Sequence, residues 1–341
     1  MARCLIVACA AACSTPAQTP APVERIRVHV REYLARLPDY TCRVTLERFQ
    51  RARVRDGFAP VDRMRLEVAY TGGEELYSWP GGGRFEAGIE DLLPAHGMVS
   101  NGSYALHVRT LFLRSVARFD SPRAETCDGA PCVRVDFRVP AAQSGYTIGA
   151  GNSAAPAPLA GSAWFDAVSL DIVRLEVRVD ETPPSLAIAS TKEITRYARA
   201  SIGGTEFVVP AESELLLRDR SGREMRNRSS YGQYRRYAAS ATVSFAPEGE
   251  AARDAATPPP PVAWRPAGKV TGTLDAAIGD DAAIGDPFTV TAAGGAAAAG
   301  RITGMWRAGK RWMVALTLDG MTRSGLVLPV AKGTAITWKP E

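Results

Sequence analysis

The stretch Tyr40-Thr41-Cys42-Arg43-Val44-Thr45-Leu46-Glu47 decides the fold. Tyr40, Cys42, Val44 and Leu46 take every second position, and Thr41, Arg43, Thr45 and Glu47 take the others. A period of two describes an extended strand with one face against a core and the other in water. The pattern returns in Met64-Leu66-Val68-Tyr70 against Arg63-Arg65-Glu67, and in Val133-Val135-Phe137-Val139 against Arg134-Asp136-Arg138. It returns again in Val173-Leu175-Val177-Val179 against Arg174-Glu176-Arg178-Asp180. Strands that are apolar on one side and charged on the other belong to antiparallel sheets with one wet face.

Upstream of this stretch the period is different. Val23, Ile26, Val30, Tyr33, Leu34 and Leu37 recur at three- and four-residue steps, with Glu24, Arg25, Arg31, Glu32 and Arg36 between them. This predicts an amphipathic helix that Pro38 stops. Downstream, further extended pieces run to Phe245, punctuated by Gly72-Gly73, Asp128-Gly129, Gly203-Gly204 and Ser221-Gly222. About ten strands in one sheet must curl. The concave apolar side then needs a cover. The first helix supplies one, and the segment from Asp91 to Arg114 supplies another, with Tyr104, Val108, Leu111 and Phe112 at helical spacing. The expected fold is mainly β with α+β character: a curved antiparallel half-barrel covered by helices.

Several runs carry a resemblance: Tyr33-Leu34, Leu37-Pro38-Asp39-Tyr40-Thr41-Cys42, Glu74-Glu75-Leu76-Tyr77, Leu111-Phe112, Val133 to Pro140, Gly161 to Asp166, and Val208-Val209-Pro210. In this order they resemble a group of bacterial secreted proteins similar to the LolA/LolB lipoprotein-carrier fold, a half-barrel closed by helices. The resemblance covers Val23 to Phe245. It implies a site for apolar ligands and transfers no catalytic residue. A lipid or acylated peptide would then lie on the concave face, against Val44, Leu46, Leu66, Val68, Val135, Phe137, Leu175 and Val177. The competing expectation is that helices fill the hollow and these residues are only core. A second class of function is an envelope scaffold or protein-interaction module with no small ligand.

The chain opens with Arg3, nine apolar residues from Cys4 to Ala12, and Cys13. Such a segment reads as a compact export signal, too short to span a bilayer. Three readings of Cys13 stand: a lipid-bearing residue that anchors the protein to a membrane, a residue just after a cut at Ala12, or part of a longer signal that starts upstream. Export places the mature chain in the periplasm or on the outer membrane of a bacterial envelope. The expected organisation is a signal over 1–13, a flexible tether over 14–22, the half-barrel over 23–246, a Pro-rich linker over 247–266 and a small β-barrel over 267–341. Four consecutive prolines, Pro258 to Pro261, make the linker a semi-rigid spacer.

The final segment resembles the small β-barrel of TrbI-type envelope proteins through Gly285-Asp286-Pro287-Phe288, Gly300-Arg301-Ile302 and Ala331-Lys332-Gly333-Thr334. Within it, Asp275 to Asp280 reads Asp-Ala-Ala-Ile-Gly-Asp and is repeated at once over Asp281 to Asp286. The repeat lacks the alternating ligands and closing Glu of a calcium loop, so a duplicated surface loop is expected and no metal.

Cys127-Asp128-Gly129-Ala130-Pro131-Cys132 is a turn between extended pieces. A disulfide across it fits an oxidising compartment and would contribute roughly 2 kcal/mol through chain entropy. Cys42 falls on the apolar face and reads as a buried, unreactive thiol. The net charge of +5 includes two basic stretches, Arg43 to Arg55 and Arg218 to Arg236, which alternate with apolar residues as a solvated sheet face does. No nucleic-acid partner is expected. His29, His96 and His107 are the only histidines, and no nucleophile elbow, zinc-protease motif or phosphate loop occurs. The expectation is a protein with no catalytic residues and no cofactor.

Overall fold

In the computed structural model, residues 22–82, 85, 89, 92, 107–114, 117–150, 153–237, 269–292 and 294–339 are described. The signal over 1–13 with Cys13, most of the tether and the linker over 247–266 lie outside these residues. So does most of the expected second helical cover. Its described helical part is the six-residue stretch His107–Phe112.

The first unit runs α1 (Pro22–Arg36), β1 (Tyr40–Arg51), β2 (Ala59–Thr71), β3 (Glu74–Ser78), α2 (His107–Phe112), β4 (Arg118–Phe119) and β5 (Arg123–Cys127). It continues with β6 (Ala130–Val139), α3 (Ala141–Ser144), β7 (Thr147–Ala150), β8 (Ser153–Pro156), β9 (Leu159–Asp166) and β10 (Ile172–Val179). Three long strands complete it: β11 (Ile188–Ile202), β12 (Thr205–Asp219) and β13 (Glu224–Arg236). Eleven of these strands form one antiparallel sheet in the order β3-β2-β1-β13-β12-β11-β10-β9-β6-β4, with β5 paired to β6.

Register follows from the alternation. Val44 stands opposite Leu66, and Leu46 opposite Met64. On the far side of the sheet Val135 faces Ala163, and Leu175 faces the same residue. A slip of one residue would turn these rows into water, so the apolar pattern fixes the pairing. The helices α1 and α2 cover the apolar face, with Ile26, Val30, Leu34, Val108, Leu111 and Phe112 all buried. Helix α1 presents only three fully buried side chains to the sheet. No helix among the described residues is long and apolar enough to cross a membrane.

The second unit is a six-stranded antiparallel sheet, curled into a nearly closed small barrel: β14 (Val270–Leu274), β15 (Pro287–Ala292), β16 (Ala297–Ala308), β17 (Arg311–Leu318), β18 (Met321–Val327) and β19 (Ala335–Trp338). Its order is β18-β17-β16-β15-β14-β19, and Trp338 stacks on Phe288 in its core.

The duplicated hexapeptide departs from the expected surface loop. Ala282, Ala283 and Ile284 are buried. The two identical copies do different work: Ile278 bridges Val330 inside the small barrel, whereas Ile284 bridges Met64 of β2. Strand β3 pairs with β2 only from Glu67 to Thr71, which leaves the edge of β2 open at residues 63–65. The second copy fills that edge through Arg65 N–H to Ile284 C=O (2.9 Å) and Ile284 N–H to Arg63 C=O (2.8 Å). The physical reason is edge satisfaction, because unpaired backbone groups beside a core are costly. Gly285 makes the approach possible. Its φ of +99° suits glycine, and a Cβ there would strike the Trp79 ring.

Candidate functional site

The apolar face of the half-barrel is the site that sequence proposes, and the strands bring its residues together. Val44, Leu66, Val68, Val135, Phe137, Leu175 and Val177 belong to one continuous core that includes α1 and α2. Leu46 departs from the set. With Met64 it joins the second core, against Ile284, Phe288 and Leu316 of the small barrel. The strand alternation continues unbroken through both regions and ends in a buried ion pair, Arg48 Nε donating to Asp62 Oδ1 at 2.7 Å. One side of the sheet thus serves two covers, the helices at one end and the small barrel at the other. Trp79 packs against both cores.

Among the described residues the hollow beneath the helices is filled. All eight expected ligand-lining residues are at most 6% exposed. A void beside α1, lined by Val30, Tyr33, Val108, Ile172 and Val208, measures about 10 Å³, enough for one water at most. A larger groove of about 930 Å³ opens on the opposite, polar side of the sheet. There Arg63 is paired with Glu47 and Arg228 with Glu214, so the groove is a charge-balanced, solvated surface. The two basic stretches of the sequence contribute to it as strand faces.

Polar clasps hold the covering helices, and these residues were not singled out by sequence. On α1, Tyr33 OH donates to Val208 C=O at 2.8 Å and accepts from Val208 N–H at 2.7 Å. His29 Nε2 lies 3.0 Å from Asp171 Oδ1. On α2, His107 is buried with its Nε2 3.1 Å from Glu193 Oε2 of β11. Nothing local marks either pairing, because the carboxylate partners are far away in the chain. The Tyr146 ring stands 5.7 Å from His107. Burial, with the nearby Glu193 carboxylate, pushes the Tyr146 and Tyr197 phenols above their ordinary value. Burial likewise pushes the Cys42 thiol up, which makes it a poor nucleophile.

Basic side chains surround two buried carboxylates, Glu176 and Glu224. Burial pushes Glu176 up, but hydrogen bonds from Lys192 and Arg178 outweigh it and hold the carboxyl below its ordinary value. Glu224 is fully buried between Arg218 and Arg51, whose hydrogen bonds likewise overcome the effect of burial. Cys127 and Cys132 form a disulfide across the β5–β6 turn, with Cα atoms 5.8 Å apart. Among the described residues no three His, Cys, Asp or Glu side chains gather as metal ligands.

No protein-family model matches the sequence, and no curated protein matches it. Solved structures that are similar in part include the following two. A LolA superfamily protein, NE2245 from Nitrosomonas europaea, is 12% identical, with a TM-score of 0.30 over 64% of this chain and 94% of its own. A DUF1329 family protein from Desulfovibrio piger is 10% identical, with a TM-score of 0.33 over 63% of this chain and 93% of its own.

Proposed function

We propose that the half-barrel is a non-catalytic holder of an apolar chain, a lipid or an acylated peptide, which it takes up by displacing α1 and α2. The observation that carries this reading is that helices cover the end of the apolar face where seven of the eight expected residues lie, and that α1 contributes three buried aliphatic side chains. Burying one such side chain contributes roughly 1.5–3 kcal/mol, whereas an acyl chain gains about 0.8 kcal/mol per methylene. A chain of ordinary length therefore offers the sheet as much apolar burial as α1 does. The Cys127–Cys132 disulfide and the apolar segment from Cys4 to Ala12 support an exported protein, held at a membrane if Cys13 is acylated.

Native mass spectrometry of the purified chain, followed by titration with a fluorescent fatty acid, tests the carrier. Co-purifying lipid or saturable binding supports it. An empty chain that takes up neither lipid nor probe sinks it. The filled interior favours a second reading, an envelope scaffold whose two units present surfaces to a protein partner. Under that reading, crosslinking in cells captures a defined protein and lipid titration does nothing.

A further inference from the structure

The small barrel carries an apolar row on its outside that is partly open to solvent. Trp306 stands opposite Met313, and Met313 opposite Val327, so three strands place these side chains side by side on one face. Trp306 is 38% exposed and Val327 39%, high values for such large apolar groups. The Trp306 ring extends toward Gly304, where a Cβ would lie 3.8 Å from it and 3.2 Å from the Ala315 methyl.

The tip of the same hairpin is basic. Arg307, Lys310 and Arg311 are all exposed there, and Arg311 lies on the side of the sheet that carries Trp306 and Met313. Arg307 also lies over the Trp312 ring at 5.1 Å and donates to Lys310 C=O at 3.0 Å, which orders the tip. No carboxylate occurs in the sequence between Asp286 and Asp319. Residues 301–341 carry seven Lys or Arg against two acidic residues, as much net positive charge as the whole chain.

The hairpin tip is separated along β16 from the joint with the first unit. Arg301, five residues before Trp306 on β16, donates to Pro80 C=O at 3.0 Å and to Gly285 C=O, which fixes that end of the strand against the half-barrel. At about 3.3 Å per residue, Trp306 lies some 16 Å beyond the joint.

The geometry points to this face as a docking surface for an anionic phospholipid leaflet. An indole at the rim of an apolar row, beside cations with no acidic partner among the described residues, matches the interface between headgroups and acyl chains. Shallow apolar insertion and attraction to anionic headgroups act together there. A purely polyanionic partner would use the cations and leave Trp306 idle. The surface is independent of Cys13 and of what the half-barrel holds.

The test is co-sedimentation of the full chain carrying Cys13→Ser with vesicles of phosphatidylcholine alone or with phosphatidylglycerol added. Binding to the anionic vesicles, weakened by salt, is expected, with little binding to the neutral ones. Lys310→Gln with Arg311→Gln lowers the partition coefficient by about 30-fold, and Trp306→Ser lowers it severalfold. The equivalent charge loss on the half-barrel, Arg235→Gln with Arg236→Gln, leaves it unchanged. These side chains are exposed, and a circular-dichroism melt checks that each variant is folded. Equal binding to both vesicle types, no binding, or equal losses in the two double variants would overturn the proposal. So would binding to heparin with vesicle binding indifferent to Trp306→Ser, which identifies a polyanion site.

Discussion

Ile284 and Met64 face each other in a parallel bridge between the two units, at the one part of the β2 edge that β3 leaves open. Both side chains are buried in the same core, and Asp286 adds an ion pair to Arg65 at 2.6 Å. Ile284→Ala should cost roughly 2–5 kcal/mol, the usual range for a buried aliphatic truncation. Ile284→Asp should uncouple the units. Calorimetry would then show two separated transitions in place of one, and a single unshifted transition would contradict the shared core.

Glu224 predicts an acid limit to stability. Its carboxyl is held below the ordinary value of 4.5 in the folded chain, so its contribution is complete above that value. That contribution is lost as pH falls through the lower folded value. Glu176 and Asp136 are shifted in the same direction and add to the effect. The melting temperature should fall steeply below about pH 4.5, and Glu224→Gln should flatten that fall. Replacing the carboxylate removes charge-assisted hydrogen bonds to Arg51 and the half-exposed Arg218 and should cost about 1–3 kcal/mol at neutral pH. A pH profile identical to wild type would remove Glu224 from the account.

Tyr33 predicts how firmly the first helix is held. Tyr33→Phe removes both hydrogen bonds to Val208 and should destabilise α1 by about 1–3 kcal/mol. Hydrogen exchange should quicken over residues 22–36 and at the Val208 amide, with β11 and the rest of β12 unchanged. In the carrier reading, the same variant takes up a fatty-acid probe faster. Faster exchange without faster uptake would show that helix opening does not limit entry.

The Cys127–Cys132 disulfide closes a short hairpin, so its reduction should lower stability by only about 2 kcal/mol in the chain-entropy model. The melting temperature with and without dithiothreitol measures this. An intact-mass determination shows whether Cys42 stays reduced, as its burial requires. Labelling of Cys42 by a thiol reagent in the native state would contradict that burial.

Strand faces were legible because alternation is a local signal. Tyr40, Cys42 and Val44 point into the core as their spacing predicts, and α1 buries Ile26, Val30 and Leu34 in the same way. Leu46 follows the same alternation as Val44, and nothing in the period says that a different cover lies above it. Which residue meets which lid is a long-range property. The His107–Glu193 and His29–Asp171 clasps are hidden for the same reason, since each joins residues far apart in sequence. The hexapeptide repeat was visible, but its polar ends concealed that Ile284 would be drawn into a core.

Two copies of one hexapeptide occupy two unlike places, Ile278 against Val330 and Ile284 against Met64. The hexapeptide thus carries no address of its own, and chain length on either side decides where each copy lands. The joint between the units is specified by counting residues, which makes it tolerant of conservative substitution and sensitive to insertion. A deletion of one copy would force a single Ile to choose between closing the small barrel and attaching it to its neighbour.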